Sequence, residues 1–508
     1  MHTAKRRFGI SLGALVLLVL AAPAARAAGG STDDGVPRIG LDPGEPQAPS
    51  PAPAIPFGVN PAQSREYVLD FHGYLLLPAQ LGLHNRLNHL PGQSELVLHA
   101  PPLVPTDIHD FAYTGVVPNP WLQLNFVYGN SLVSATVILA GTSAMDAAGY
   151  FNPVDQMGVN DAYLTVNLTK KLGFPLQVNV GAYTGRYGAM GTYDAGRYGT
   201  PLIAQTNTIG EQITGAYRIG EVFLLLDQGL GGQLGRPPVG LVPAGWNDFA
   251  DPNVGSTFVN QVHVGLAVPR LLRVGLHYVT AWTQDDLTTG NVIPDGRITV
   301  MGGDAQLTAG RAGHLYLGLA HTWATNAQSV GAAIQVLNAR GGPDLRAHYL
   351  GHDMYGNVTG GLTTFGGQYD LSLARLVFGD LYTGESPDVL VSLFGVGTYV
   401  TSVDPTKNDV LMLKGGLEGS YLFLSWLGVS ERFDHVRLHG SDSTQAYTSL
   451  SSRLLFHTGW RSRGEIALQY TYFVFGSNVV IEDGYPLAPD TTINPDRSVF
   501  SLIGTFWW

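Results

Sequence analysis

The chain has 508 residues, 65 of them glycine and none cysteine, and charged residues make up 13% of it, against an ordinary share of about a quarter. Thiol chemistry, disulfides and cysteine-ligated metals are therefore excluded. The 39 acidic residues outnumber the 28 basic ones, which argues against a nucleic-acid partner, since that would want a basic face.

In chain order, residues 1–27 read as a signal peptide. MHTAKRR supplies positive charge, FGISLGALVLLVLAAPA an apolar stretch, and Ala25-Arg26-Ala27 an A-x-A cleavage site. Removing Lys5, Arg6, Arg7 and Arg26 with this leader moves the balance from −11 to about −15. Residues 28–62 are rich in Pro, Gly and small side chains without periodicity, and predict a Pro/Gly-rich disordered linker. No later apolar run is long enough for a membrane-spanning helix.

From Glu66 the pattern alternates with the two-residue period of strands. EYVLDFHGYLLL sends Tyr67, Leu69, Phe71, Leu75 and Leu77 to one face, and Glu66, Asp70, His72 and Tyr74 to the other. LLRVGLHYVTAW opposes Leu272, Val274, Leu276 and Tyr278 to Arg273, Gly275 and His277. DVLMLKGGLEGSYL opposes Leu411, Leu413, Leu417 and Tyr421 to Lys414, Glu418 and Ser420. RGEIALQYTYFVF opposes Ile466, Leu468, Tyr470 and Tyr472 to Glu465, Gln469 and Thr471. Strands are predicted near 65–77, 118–129, 131–141, 159–169, 174–186, 207–219, 221–229, 257–268 and 271–283. Others fall near 297–309, 311–324, 358–371, 387–401, 408–422, 424–438, 444–458, 462–476 and 496–508.

The joints between them alternate. YGNS, TKKLG, RIGE, AVPRLLR and AGRAG are tight, whereas 78–117, 142–158, 187–206, 230–256 and 325–357 are long; 284–296 is of medium length, and 402–407 and 439–443 are also short. One rim with short turns and one with long loops is the signature of an outer-membrane barrel. The joint 372–386 is too long for a tight turn, so a further strand is expected there or in GAAIQVLNA at 331–339. The fold class predicted for residues 63–508 is all-β, a transmembrane up-and-down antiparallel β-barrel of about 16–18 strands. Closure leaves no strand edge unpaired in lipid. The proposed lumen-facing polar set is Asp70, His72, Arg273, His277, Lys414, Glu418, Arg432 and Asp434, with Arg432 and Asp434 as a pair on one strand face. Aromatic residues such as Tyr278, Trp282, Trp323, Tyr470 and Tyr472 suit the two water–lipid boundaries.

Three resemblances add to this reading. Asp70-Phe71-His72-Gly73-Tyr74 resembles the opening strand of the maltoporin-type sugar porins, although the chain departs from that family beyond it. SVFSLIGTFWW, with Phe500, Leu502, Phe506 and Trp508 spaced on one face, resembles the closing strand of outer-membrane proteins. The resemblance implies that this strand is the assembly signal read by the barrel-insertion machinery. The loop GAYTGRYGAMGTYDAGRYGTP repeats a G-R-Y-G unit and is the third long joint. It is similar in position to the inward-folded third loop of general porins, which implies a pore constriction built from Arg186, Tyr187, Tyr193, Asp194, Arg197 and Tyr198. Tyr183 stands at its entry.

Other chemistry is less well supported by the sequence. His84, His89, His99 and His109 gather in the first long loop without metal-ligand spacing, and no HExxH, GxSxG or phosphate-loop motif occurs. Asp434-His435 and Asp107 with His109 are the adjacencies a barrel-borne hydrolase would draw on. The chain has too few residues for a 22-stranded barrel with a plug, and too few before its first strand for a long passenger. The expectation is a passive porin for small hydrophilic solutes, not an enzyme, without cofactor or bound metal. Its partners would be outer-membrane lipid and, as the porin resemblance implies, two further copies in a homotrimer. The alternatives are a barrel-borne hydrolase and a closed structural or adhesive barrel.

Overall fold

The computed structural model describes residues 65–83, 122–141, 157–188, 203–234, 256–269, 271–284, 296–325, 334–336, 359–379, 387–401, 410–424, 426–437, 446–458, 463–475 and 496–507. All belong to one compact unit, Pro37–Trp508. The leader, the linker, the histidines of the first long loop and Trp508 lie outside the described residues.

Alternation produces strands almost throughout. They are β1 (Val68–Leu83), β2 (Leu122–Gly129), β3 (Val133–Gly141), β4 (Met157–Asn167), β5 (Leu176–Tyr187), β6 (Ala204–Ile219), β7 (Val222–Leu234), β8 (Ser256–Val268), β9 (Leu272–Gln284) and β10 (Arg297–Thr308). There follow β11 (His314–Thr325), β12 (Ile334–Val336), β13 (Thr359–Ser372), β14 (Asp388–Thr401), β15 (Val410–Leu424), β16 (Leu427–Arg437), β17 (Ala446–Thr458), β18 (Arg463–Phe475) and β19 (Asp496–Trp507). Each pairs antiparallel with its chain neighbour, except that β11 passes over the three-residue β12 to pair with β13. The first and last strands also pair, from Tyr74↔Trp507 to Leu83↔Ser498. Of the 19 strands, all but β12 thus form one closed ring. Among the described residues no helix is long and apolar enough to cross a membrane, which says nothing about crossing by strands.

The eighteen expected strands all form, and the two suspect segments resolve differently. The extra strand lies in the 331–339 segment, as β12. The 372–386 joint instead begins with a helix, α2 (Leu373–Phe378), following the one-turn α1 (Thr169–Leu172) of the TKKLG joint. Ser372 Oγ accepts from the Arg375 amide at 3.0 Å, and Asp388 Oδ1 accepts from the Ala374 amide at 2.9 Å. Two of the helix's first free amides are therefore satisfied by side chains, which makes a helix rather than a strand the stable choice.

The ring has an apolar exposed face and a polar buried one. Leu276 and Leu319 are 67% and 56% exposed, and Phe365, Leu417, Phe433, Phe500 and Leu502 are also exposed. The alternate positions carry Gln261, Asp434, Ser451, Gln469 and Ser501, all buried. This inverts a soluble sandwich, whose apolar residues turn inward. An outward apolar surface around a polar interior is the arrangement that lipid outside and water inside would select.

Candidate functional site

The inner face holds one feature that interrupts the wall. β5 pairs with β4 only from Gln177 to Ala182, and β6 pairs with β7 only from Ile209 onward. Beyond those points the two strands keep pairing with each other, from Tyr183↔Thr208 to Tyr187↔Ala204. The outer edge of β6 there takes a new partner, β12, through Ala204–Thr206. The top of the β5–β6 hairpin has thus left both wall neighbours.

Two glycines mark the departure. Gly181 and Gly210 are cross-strand partners. Gly181 has φ +140°, and a Cβ there would lie 2.3 Å from the Ala162 carbonyl oxygen. A Cβ at Gly210 would lie 2.1 Å from the Leu230 carbonyl oxygen. Only glycine permits both the backbone angle and the close approach, so the pair acts as the bend of the hairpin.

Past the bend, Tyr187, Ile203 and Ala204 bury themselves against Val259 of β8, Val279 and Ala281 of β9, Ile298 and Val300 of β10, and Ala320 and Ala324 of β11. Those positions face away from the exposed row of Leu276 and Met301 and are therefore inside the ring. None of these four strands neighbours β5 or β6 in the sheet, so the hairpin reaches them across the interior. The Ile203 amide donates to the Tyr187 carbonyl at 3.0 Å, closing the base of the loop. The Tyr187 ring meets the His277 ring edge-on, with centroids 6.0 Å apart.

Below the hairpin a polar ladder runs around the inner wall. Thr165 Oγ1 donates to Asn179 Oδ1 at 2.8 Å, and Asn179 Nδ2 donates to Gln212 Oε1 at 3.1 Å. Gln212 Nε2 donates to both Asp227 oxygens at 3.1 Å. Asp227 is the cross-strand partner of His263, and His263 that of His277. The two imidazoles stack with centroids 4.3 Å apart, and His277 Nε2 contacts Asp304 Oδ1.

A second cluster stands on the opposite arc of the ring. Arg432 is fully buried; its Nε lies 2.9 Å and 3.0 Å from the two Asp434 oxygens, and Nη2 lies 2.9 Å from Oδ1. Glu418 stands 3.9 Å away, and the guanidinium lies 4.5 Å from the centre of the Phe394 ring. Asp434 and its chain neighbour His435 point to opposite faces, and His435 contacts Thr448 at 2.9 Å. Adjacency in sequence does not make them a catalytic pair. Asp107 and His109 lie outside the described residues.

Of the expected lumen residues, Asp70, His277, Glu418, Arg432 and Asp434 are buried on the inner face, and His72 joins Asp70 at 3.2 Å. Arg273 occupies the same row of β9 as His277. Lys414 shares the register face of Glu418 on β15, but its side chain, like that of Arg186, lies outside the described residues. So do Tyr193, Asp194, Arg197 and Tyr198 of the expected constriction. Phe500 and Leu502 are exposed, and Phe506 is half-buried. Sequence reasoning missed Ile203, Asp227, His263, Asp304 and the Gly181–Gly210 bend. Each takes its meaning from a partner on another strand.

The molecule is a closed antiparallel β-barrel with a hairpin folded into its interior. No family model matches the chain, and no curated protein does. Among solved structures it is similar to OmpT, an outer membrane protein of Vibrio cholerae (12% identity, 87% of this chain, 98% of the other, TM-score 0.37). It is also similar to the outer membrane protein OprD of Pseudomonas aeruginosa (10% identity, 89% and 97%, TM-score 0.37). A third is an anion-selective porin of Comamonas acidovorans (9% identity, 87% and 100%, TM-score 0.39).

Proposed function

We propose that this chain is an outer-membrane porin of a Gram-negative cell, through which small hydrophilic solutes diffuse without energy coupling. The observation that carries this reading is the inward hairpin. A barrel that served only as a wall or an anchor has no use for a hairpin that leaves the sheet at a paired-glycine bend and crosses the interior. A channel uses such an element to narrow its bore and place charge at the narrowest point. The loop from 189 to 202, which springs from this base, carries Asp194, Arg197, Tyr193 and Tyr198, and Arg186 stands at its root. On this reading the tyrosines would narrow the passage and the arginines would set the local field.

Replacing both Arg186 and Arg197 with Glu tests the assignment. Reversal potentials measured across a salt gradient should shift towards cation preference, because a ring of acids at a constriction favours cations. Unchanged selectivity in a conducting variant would remove these residues from the constriction.

A further inference from the structure

His263, His277 and Asp304 come from three consecutive strands, β8, β9 and β10, and meet on the inner wall. Each offers one ligand atom, and these atoms lie within 4.8 Å of one another. The wall is bare beneath them. A Cβ at Gly275 would lie 2.4 Å from His263 Nε2 and 3.0 Å from Asp304 Oδ1, so the space they occupy exists only because that position is glycine. The His277 side chain is 5% exposed, and its Nδ1 is buried without a hydrogen-bond partner. The other ring nitrogen, Nε2, meets Asp304 and is the donor placed to hold an ion jointly with that carboxylate.

We propose that this triad is a binding site for a divalent transition metal, with zinc as the best fit. Two neutral imidazoles and one carboxylate form a nitrogen–oxygen donor set that suits zinc among the common divalent ions. Tetrahedral zinc holds such donors about 2.0–2.2 Å from the metal. Small side-chain rotations would draw the three atoms together around an ion and leave one position open to lumen water. Asp227, the cross-strand neighbour of His263 and itself held by Gln212, adds negative charge on the near side. Arg273 acts in the opposite sense, because it lies within electrostatic range of both His263 and Asp304. The site sits under the inward hairpin through the Tyr187–His277 ring contact, so occupancy would fix the wall on which that hairpin rests.

The test is a zinc titration of the full chain, folded in detergent and stripped with chelator, followed by calorimetry. One zinc per chain is expected. Asp304→Asn should weaken binding by at least about tenfold, since loss even of an outer-shell partner costs about 10–100-fold. The combined His263→Gln, His277→Gln, Asp304→Asn variant should lose the site, and Arg273→Gln should bind more tightly than the parent. Circular dichroism guards against loss of fold, and Asp304→Asn, which keeps the side chain's shape, serves if the combined variant does not fold. Absence of stoichiometric zinc on the parent chain would overturn the proposal. So would unchanged binding in the combined variant, which would move the metal to other histidines. The readout needs no conductance, so it stands apart from the porin reading.

Discussion

Arg432 shows what an interior of this kind demands of single residues. It is fully buried, held by both oxygens of Asp434, faced by the Phe394 ring and close to Glu418. Desolvating a guanidinium is costly, and partners of this kind offset that cost. Arg432→Met should therefore destabilise the barrel by about 3–5 kcal/mol, because two carboxylates lose their counter-charge. Replacing Asp434 with Leu as well should recover part of that loss. Urea midpoints of refolded barrels check both, and a parent-like midpoint in the single variant would mean that the interior is wet enough to solvate the carboxylates. This pair was legible in the sequence because residues two apart on a strand share a face. The triad of His263, His277 and Asp304 was not, because nothing in the alternation of one strand states which residue of the next lies beside it. Register across strands is a property of the assembled sheet.

The β5–β6 hairpin is the element on which the proposed function turns. Its bend at Gly181 and Gly210, its release from β4 and β7, and its seat on β8 to β11 form one device. Tyr187 is the side chain that seats it. Tyr187→Ala should free the hairpin tip, raise single-channel conductance and lower stability by about 3–5 kcal/mol, the cost of removing a buried aromatic ring. A variant with parent conductance and a reduced urea midpoint would make Tyr187 a packing residue alone. From the sequence, the glycines and the repeated G-R-Y-G unit point to the right loop. The direction in which it folds depends on the apolar inner residues Val259, Val279 and Val300. These are spread over three strands, where with Ala281 and Ile298 they interrupt inner rows that also carry Gln261, His277 and Asp304. The helix α2 was hidden for a related reason: its stability rests on Ser372 and Asp388, side chains that belong to the flanking strands.

At the scale of the whole molecule, the sequence pattern and the structure agree closely, and the reason is physical. A barrel wall one residue thick writes its two environments into every strand as a two-residue alternation, and its two rims into the joint lengths. Eighteen segments chosen on that basis all become ring strands, and the pairing of β1 with β19 closes the circle that the parity of the joints requires. What the pattern does not encode is the content of the interior, because the hairpin and the polar clusters depend on contacts between segments far apart in the chain. The outward rows of leucine and phenylalanine, the buried polar rows and the inward hairpin together define a barrel that is apolar outside and polar inside, and the proposed porin would use that interior as its passage. The most direct test of that account is to insert the purified, folded chain into planar lipid bilayers and record current at fixed voltage. Discrete, long-lived conductance steps of uniform size are the predicted result. A folded chain that enters the bilayer and carries no current would contradict it, and would leave the closed structural barrel as the better reading.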